Sequence, residues 1–525
     1  MNTEAHPPLR IGLLGWACLS LQEREGTGYN LHVSELAAAL AEQGHHVSYL
    51  RSGMDYSLRP GMFTRAREVW RGVHCHDLVN SPVLSPGFLN FREPQNQIAC
   101  PAITEVVLEW LQVQGVQLVH IHALEGFGFD LVAAIRAAGV PVLVTPHNYF
   151  FLCPQVDLLH KEVAVCEDYR GGERCLDCLR TEDPRKERFR RRVRDAGLIG
   201  NGLETSVRRT VRSIGSAFAG LAHAEQPAKT GREASPVPAL RTRPATPGDM
   251  NARLLAANHH LRALNVYGDR RAAGAGALNA ANAVLCPSIF LMNLHAAMGV
   301  NRRVLRHVPL GQPHFDALAA AAASSPYYHQ RPWTPAAPRP LRFGFFGSTR
   351  YNKGLDVLCR AIAMLDDRDR ARAHFHLRAG GDTSAHRAFL RDVPQASFLG
   401  GYTPADLPSS LGDFDVGVVP TTGLENAPFV VQEHLHAGKF VIGSKLGGPT
   451  DFIREPLNGL LVPASNPGAL AQAMTALIQG HVAIPSPSEV RRVAPLRTHV
   501  DYLAELNEIY AAVCNPASAA HAIES

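Results

Sequence analysis

The stretch Pro420–Pro463, PTTGLENAPFVVQEHLHAGKFVIGSKLGGPTDFIREPLNGLLVP, decides how the rest of the chain is read. Glu425 and Glu433 stand eight residues apart, with Asn426 and Pro428 between them. Asn is favoured just before a helix and Pro is tolerated in its first turn, so the spacing predicts a helix over 427–437 that stops at Gly438. Glu425 then lies in the loop before the helix and Glu433 lies inside it, placed to hold two parts of one ligand. After a short strand over 440–443, the pair Gly447-Gly448 can bring backbone N–H groups close to an anion. A carboxylate only accepts hydrogen bonds, which suits paired sugar or ribose hydroxyls at Glu433. Backbone donors suit a diphosphate, and together these are the parts of a nucleotide-sugar site.

Four elements in order carry a resemblance: the E-x7-E spacing, the glycine pair, the Asn458-Gly459 turn into Leu460-Leu461-Val462-Pro463, and Lys353-Gly354 upstream. They resemble the donor domain of glycosyltransferase family 4. The resemblance implies an α/β chain of GT-B fold, two Rossmann-like doubly wound domains facing across a cleft, and sugar transfer with retention of configuration. It implies that Glu433 and Asn426 bind the donor, that Glu425 contacts its sugar, and that Gly447 and Gly448 face its phosphates. Lys353 and Arg350 would stabilise the departing diphosphate, the main electrostatic demand of the reaction. Here the sequence departs from the family, because the arginine common directly after the glycine is Ser348 and Arg350 sits closer to Lys353. In the first domain the resemblance assigns Gly26 and Gly28 to a loop against donor phosphates or acceptor, and Thr145-Pro146-His147 to a T-x-H motif whose histidine faces the reacting sugar. No catalytic metal is implied, and no cofactor beyond the nucleotide-sugar co-substrate.

The 525 residues exceed what one core organises and predict two to three domains. Strand and helix signals alternate over 9–150: an apolar strand from Arg10, a helical face through Val33, Leu36, Ala37 and Leu40, then strands at 47–50, 116–122 and 140–145. Such alternation predicts a parallel sheet with ligands beyond its carboxyl ends, where His122 and His147 fall. The expected organisation is a first domain over 9–325 with a basic, proline-rich insertion at about 181–277, a linker over 326–340, a donor domain over 341–495 and a terminal segment over 496–515 that crosses back. The apolar stretch from Ile11 to Leu21 could imitate a secretory signal, but Trp16 fits a cleavage site poorly and the first-strand reading is preferred.

Cys153, Cys166, Cys175 and Cys178 could make a structural zinc site, the last two as a C-x2-C knuckle. Free thiols packed in an irregular loop and a labile disulfide are the competing readings. Ten unpaired-looking cysteines suit a reducing cytoplasm. Seven of the ten residues from Arg185 to Arg194 are basic, and 223–250 has no periodicity. A solvated surface is one reading of the basic run; attraction to an anionic membrane, fitting a lipid-linked rather than a free sugar acceptor, is the other. Nucleic acid is disfavoured because no aromatic residues are interleaved with the arginines. Two rivals to a transferase stand: a sugar-nucleotide epimerase of the same architecture, which needs acid/base residues not found, and a noncatalytic binder. A dehydrogenase fails because no G-x-G-x-x-G follows the first strand.

Overall fold

A computed structural model of the chain describes residues 7–21, 28–178, 183–197, 240–246, 248–257 and 263–515. Two parallel sheets dominate it. The first has eight strands: β1 (Arg10–Gly15), β2 (His46–Ser52), β3 (Phe63–Trp70), β4 (Val73–Val79), β5 (Leu118–Ile121), β6 (Val142–Val144), β9 (Ala283–Cys286) and β10 (Leu305–His307), in the order β10-β9-β6-β5-β1-β2-β4-β3. All pairs are parallel except the edge hairpin β3–β4. Between β6 and β9, the short strands β7 (Leu159–His160) and β8 (Ala164–Val165) pair only with each other. The second sheet has six strands, β11 (Leu341–Ser348), β12 (Ala373–Gly380), β13 (Ala396–Phe398), β14 (Val416–Val419), β15 (Phe440–Ser444) and β16 (Gly459–Val462), all parallel in the order β13-β12-β11-β14-β15-β16.

The central strands read as short apolar runs because helices cover both faces of each sheet. Ile11 and Leu13 pack on one side of the first sheet with Val33, Leu36 and Leu40, while Leu14, Val119 and Val144 pack on the other. Strand order reverses between β1 and β5 in the first sheet and between β11 and β14 in the second. Such switch points open a crevice at the carboxyl ends of the strands. In the second sheet those ends lead into Ser348–Lys353 and Pro420–Glu425, which sets the position of the site. The helix His499–Cys514 returns to the first sheet, where Tyr502, Leu506 and Tyr510 join its core.

Of the insertion, the described residues include ordered pieces, while most of the aperiodic stretch 223–250 lies outside the described residues. The basic run of the insertion is a helix, Pro184–Asp195, started by Pro184 after an Asp183 cap. The first sheet's packing resumes by the helix Val266–Ala280, well before Leu278. Between them, Leu240 enters the core of the second domain, and Met250 and Leu254 pack with Leu424 and Leu446. A few apolar anchors with partners far away in sequence leave no local period, which is why 240–250 reads as structureless. No helix of the described residues is long and apolar enough to cross a membrane.

Candidate active site

Strand β11 ends in a turn through Arg350 to Lys353, and Gly354 follows with φ 77°. A Cβ there would stand 1.8 Å from the Pro420 carbonyl, so the Lys-Gly pair lets this turn press against the exit of β14. The consequence is a direct contact: Lys353 Nζ lies 2.8 Å from Glu425 Oε1. Arg350 is exposed and has no ion-pair partner among the described residues. Thr422 clamps the same turn, donating its N–H to Asn352 O and its hydroxyl to Tyr351 O, each at 3.0 Å.

The predicted helix begins later than expected, at Phe429, and ends at His436, with Pro428 as its cap and no side-chain capping bond. Asn426 is therefore not the cap. It is buried; its Nδ2 donates to Pro146 O at 3.0 Å and its Oδ1 accepts from Ser288 Oγ at 2.9 Å. Both polar ends are taken by the first domain, so Asn426 ties the domains together. Tyr149 adds a second tie, its hydroxyl donating to Glu425 O at 3.3 Å.

Glu433 lies in the helix and is 4% exposed. Its Oε1 accepts from His314 Nε2 at 3.2 Å, whereas Oε2 is buried without a protein hydrogen bond. An unpaired carboxylate oxygen in that setting costs free energy unless a donor fills it. His314 comes from the helix Pro313–Ser324, formed by the alanine run that precedes the proline-rich linker.

The glycine loop also departs from expectation. Gly447 has φ 69°, and a Cβ on Gly448 would stand 1.5 Å from Asn426 O. The pair is glycine because two backbones touch, as the bridge between Glu425 and Gly447 shows. Its N–H groups are not free: Gly447 donates to Asn251 Oδ1 at 2.7 Å and Gly448 to Glu425 O at 2.8 Å. Asn251 also donates to Gly447 O at 3.2 Å and Thr450 Oγ1 at 3.0 Å.

On the first domain, His147 Nε2 and His122 Nδ1 are 3.1 Å apart. Burial lowers the His147 pKa to about 3, so the ring is neutral near pH 7. His32 bonds Gln312 through Nδ1 and Tyr502 through Nε2. Gly28 opens the helix Gly28–Glu42 and faces Phe429 of the donor helix, 3.6 Å from where its Cβ would be. Gly26 lies outside the described residues.

Asn251, Arg243, His314 and Tyr149 had no sequence signal, since none lies in a motif. Arg243 donates to the carbonyls of Thr422 and Glu162 and stacks 4.5 Å over the Tyr351 ring, which brings a further cation to the Arg350–Lys353 turn. The basic helix is largely spent on pairing. Arg185 and Arg188 meet Glu93, Arg190 and Arg191 meet Glu187, and Arg194 meets Asp195. That leaves Lys186 and Arg192 without such partners among the described residues, a weak basis for a membrane patch. The four cysteines line one small cavity.

Comparison with known proteins bears on the family and the fold. A model described as "Glycosyl transferase 4-like domain" matches residues 27–200, and one described as "Glycosyl transferases group 1" matches 340–480. D-inositol 3-phosphate glycosyltransferase of Corynebacterium glutamicum is 32% identical over 143 residues, 26% of this chain; the match spans only 34% of that relative. Sucrose-phosphate synthase from Thermosynechococcus elongatus superposes over 96% of this chain and 98% of its own, with a TM-score of 0.53 at 16% identity. Anabaena HepE in complex with UDP does so over 96% and 100%, with a TM-score of 0.52 at 12% identity. At those identities the structures show a shared two-domain α/β fold, the GT-B architecture.

Proposed function

We propose a reaction for this chain, which belongs to the glycosyltransferases of the family 4 type: transfer of a sugar from a nucleotide-sugar donor, held by the second domain, to an acceptor hydroxyl presented by the first. The observation that carries the reading is that Lys353 is ion-paired to Glu425 just before the helix in which Glu433 keeps a buried oxygen without a partner. Ribose hydroxyls would donate to Glu433 Oε2. The diphosphate would sit near Lys353, whose ammonium has three protons and can keep Glu425 while donating to phosphate. Arg243 and Arg350 add positive charge to the same turn. Gly447 and Gly448 serve the shape of the loop rather than donating to the ligand. His147, neutral, would orient a sugar hydroxyl.

In the proposed step the bond from C1 to the diphosphate oxygen breaks, its electron pair leaving with the diphosphate. The acceptor oxygen bonds to C1 on the same face, and its proton passes to the leaving phosphate. Closure of the two domains would exclude water and favour transfer over hydrolysis. The acceptor is a sugar or lipid-linked hydroxyl in glycoconjugate or polysaccharide synthesis. Attraction to an anionic surface would fall to the few unpaired basic residues of the helix Pro184–Asp195, and binding to anionic vesicles that persists at physiological salt would establish it.

A panel of UDP-, GDP- and ADP-sugars, with released nucleoside diphosphate as readout, tests the reaction. Release from one donor, abolished in Glu433→Ala, is expected; silence from every donor in the presence of candidate acceptors, with nucleotide still bound, would favour a noncatalytic binder. The anomeric configuration of the product by NMR separates retention from inversion.

A further inference from the structure

The loop between β6 and the basic helix brings together Cys153, Cys166, Cys175 and Cys178 around one cavity of about 20 Å³, room for a single ion or water by the ~10–15 Å³ that one water needs. The loop is unusual in its backbone. Five of the eight non-glycine residues with positive φ among the described residues, Val156, Leu158, Lys161, Glu162 and Arg170, lie within it. Side chains rarely accept that conformation, a β-branched valine least of all, so something other than local preference must hold the loop.

The surroundings of the sulfurs suit anions. Cys178 Sγ is approached by Lys161 N–H at 3.1 Å and by Gln155 Nε2 at 3.6 Å. Arg271 also lines the cavity; it is 5% exposed, and its Nη1 has no hydrogen-bond partner. Arg174 lies on the same wall. The Arg271 guanidinium donates to Leu152 O and stacks 3.5 Å over the Tyr169 ring, and a thiolate beside it would offset its buried charge.

We propose that Cys153, Cys166, Cys175 and Cys178 bind one Zn²⁺ as a structural four-thiolate site. Four thiols release their protons to solvent and the ion replaces them, leaving a cluster of net charge −2 that Arg271, Arg174 and the N–H donors offset. The ion must draw the loop inward. Among the described residues, the ligand atoms already within 4.8 Å of one another belong to His32, His122 and His147. Of those rings, His32 has both nitrogens bonded to Gln312 and Tyr502, while His122 Nδ1 meets His147 Nε2 and His122 Nε2 has no partner. A metal held by all three rings would have to break a bond of His32, whereas the cysteine cavity holds no such bond to a distant side chain among the described residues.

The site would fix a wall of the cleft. Leu158 and Leu159, between the first two cysteines, pack in one cluster with Leu424 and Leu446. A Cβ on Gly423 would meet Leu159 at 3.6 Å, next to the loop that carries Glu425. This positional consequence rests on the proposed donor site; the metal itself does not.

The test is metal analysis of the full chain purified without chelator. About one zinc per chain is expected, and the cobalt-substituted protein should show the thiolate-to-metal charge transfer and tetrahedral ligand-field bands of a four-sulfur site. Cys175→Ser and Cys178→Ser should each lower zinc content about tenfold or more. Removing zinc from the wild type should open the loop to trypsin at Lys161, Arg170 and Arg174. Absence of zinc from the wild type with ten free thiols on titration would overturn the proposal. So would a disulfide among the four cysteines, or zinc that survives both serine variants and is lost in His122→Ala.

Discussion

Glu433 sits in a helix and Lys353 in a turn, yet each already has one protein partner and spare hydrogen-bonding capacity for a ligand. Their types and spacing were readable in the sequence because a carboxylate inside a short helix and a lysine before a left-handed glycine have few other reasons to recur in that order. Their partners were not readable. His314 meets Glu433 from 119 residues away and Asn251 meets Gly447 from 196. Lys353→Met removes a charge needed mainly as the diphosphate leaves, so kcat should fall about 100- to 1,000-fold, with a smaller change in KM, in steady-state donor turnover. Asn251→Ala loosens the glycine loop without touching the reacting atoms. Two or three neutral hydrogen bonds at about 1 kcal/mol each predict a rise in donor KM of up to about 30- to 150-fold with kcat nearly unchanged.

At the level of elements, the central strands and the helices Ile289–Ala297 and His499–Cys514 follow from apolar runs bounded by caps and prolines. Ser288 caps the first of these helices and Thr498 the second. The edge strand β3 had no such signal, because residues 65–69 are exposed and carry Arg65, Arg67 and Glu68, in keeping with an edge protected by charge. The helix start at Phe429 was misplaced because Asn426 is drawn to Ser288 and Pro146, a tertiary demand that overrides its capping preference. Gly448→Ala tests the close approach of the two loops. Its methyl would overlap Asn426 O, so unfolding free energy should fall by about 1–3 kcal/mol, measured by denaturant titration. An unchanged midpoint would show that the loops part freely.

The molecule is held together by Asn426 and Tyr149 across the cleft, by residues 240–246 and 248–257, and by the terminal helix. That helix also covers buried histidines: His120 lies between Tyr510 Oη at 2.7 Å and Thr145 Oγ1 at 2.8 Å. Burial, with His147 adding to it, lowers the His120 pKa from 6.5 to about 3. The unfolded chain then binds the proton more readily than the folded one. Stability should be full above pH 6.5 and fall progressively as pH drops towards about 3. Melting temperatures recorded from about pH 7 to about pH 4 should show this, with a shallower slope in His120→Gln. The most direct measurement of the central claim is calorimetric titration of the wild type and Glu433→Gln with UDP, GDP and ADP. One nucleotide should bind the wild type and lose about 10- to 100-fold in affinity in the variant, the value of a hydrogen bond to a charged group. Equal binding to both proteins, or binding of no nucleotide, would contradict a donor site built around Glu433.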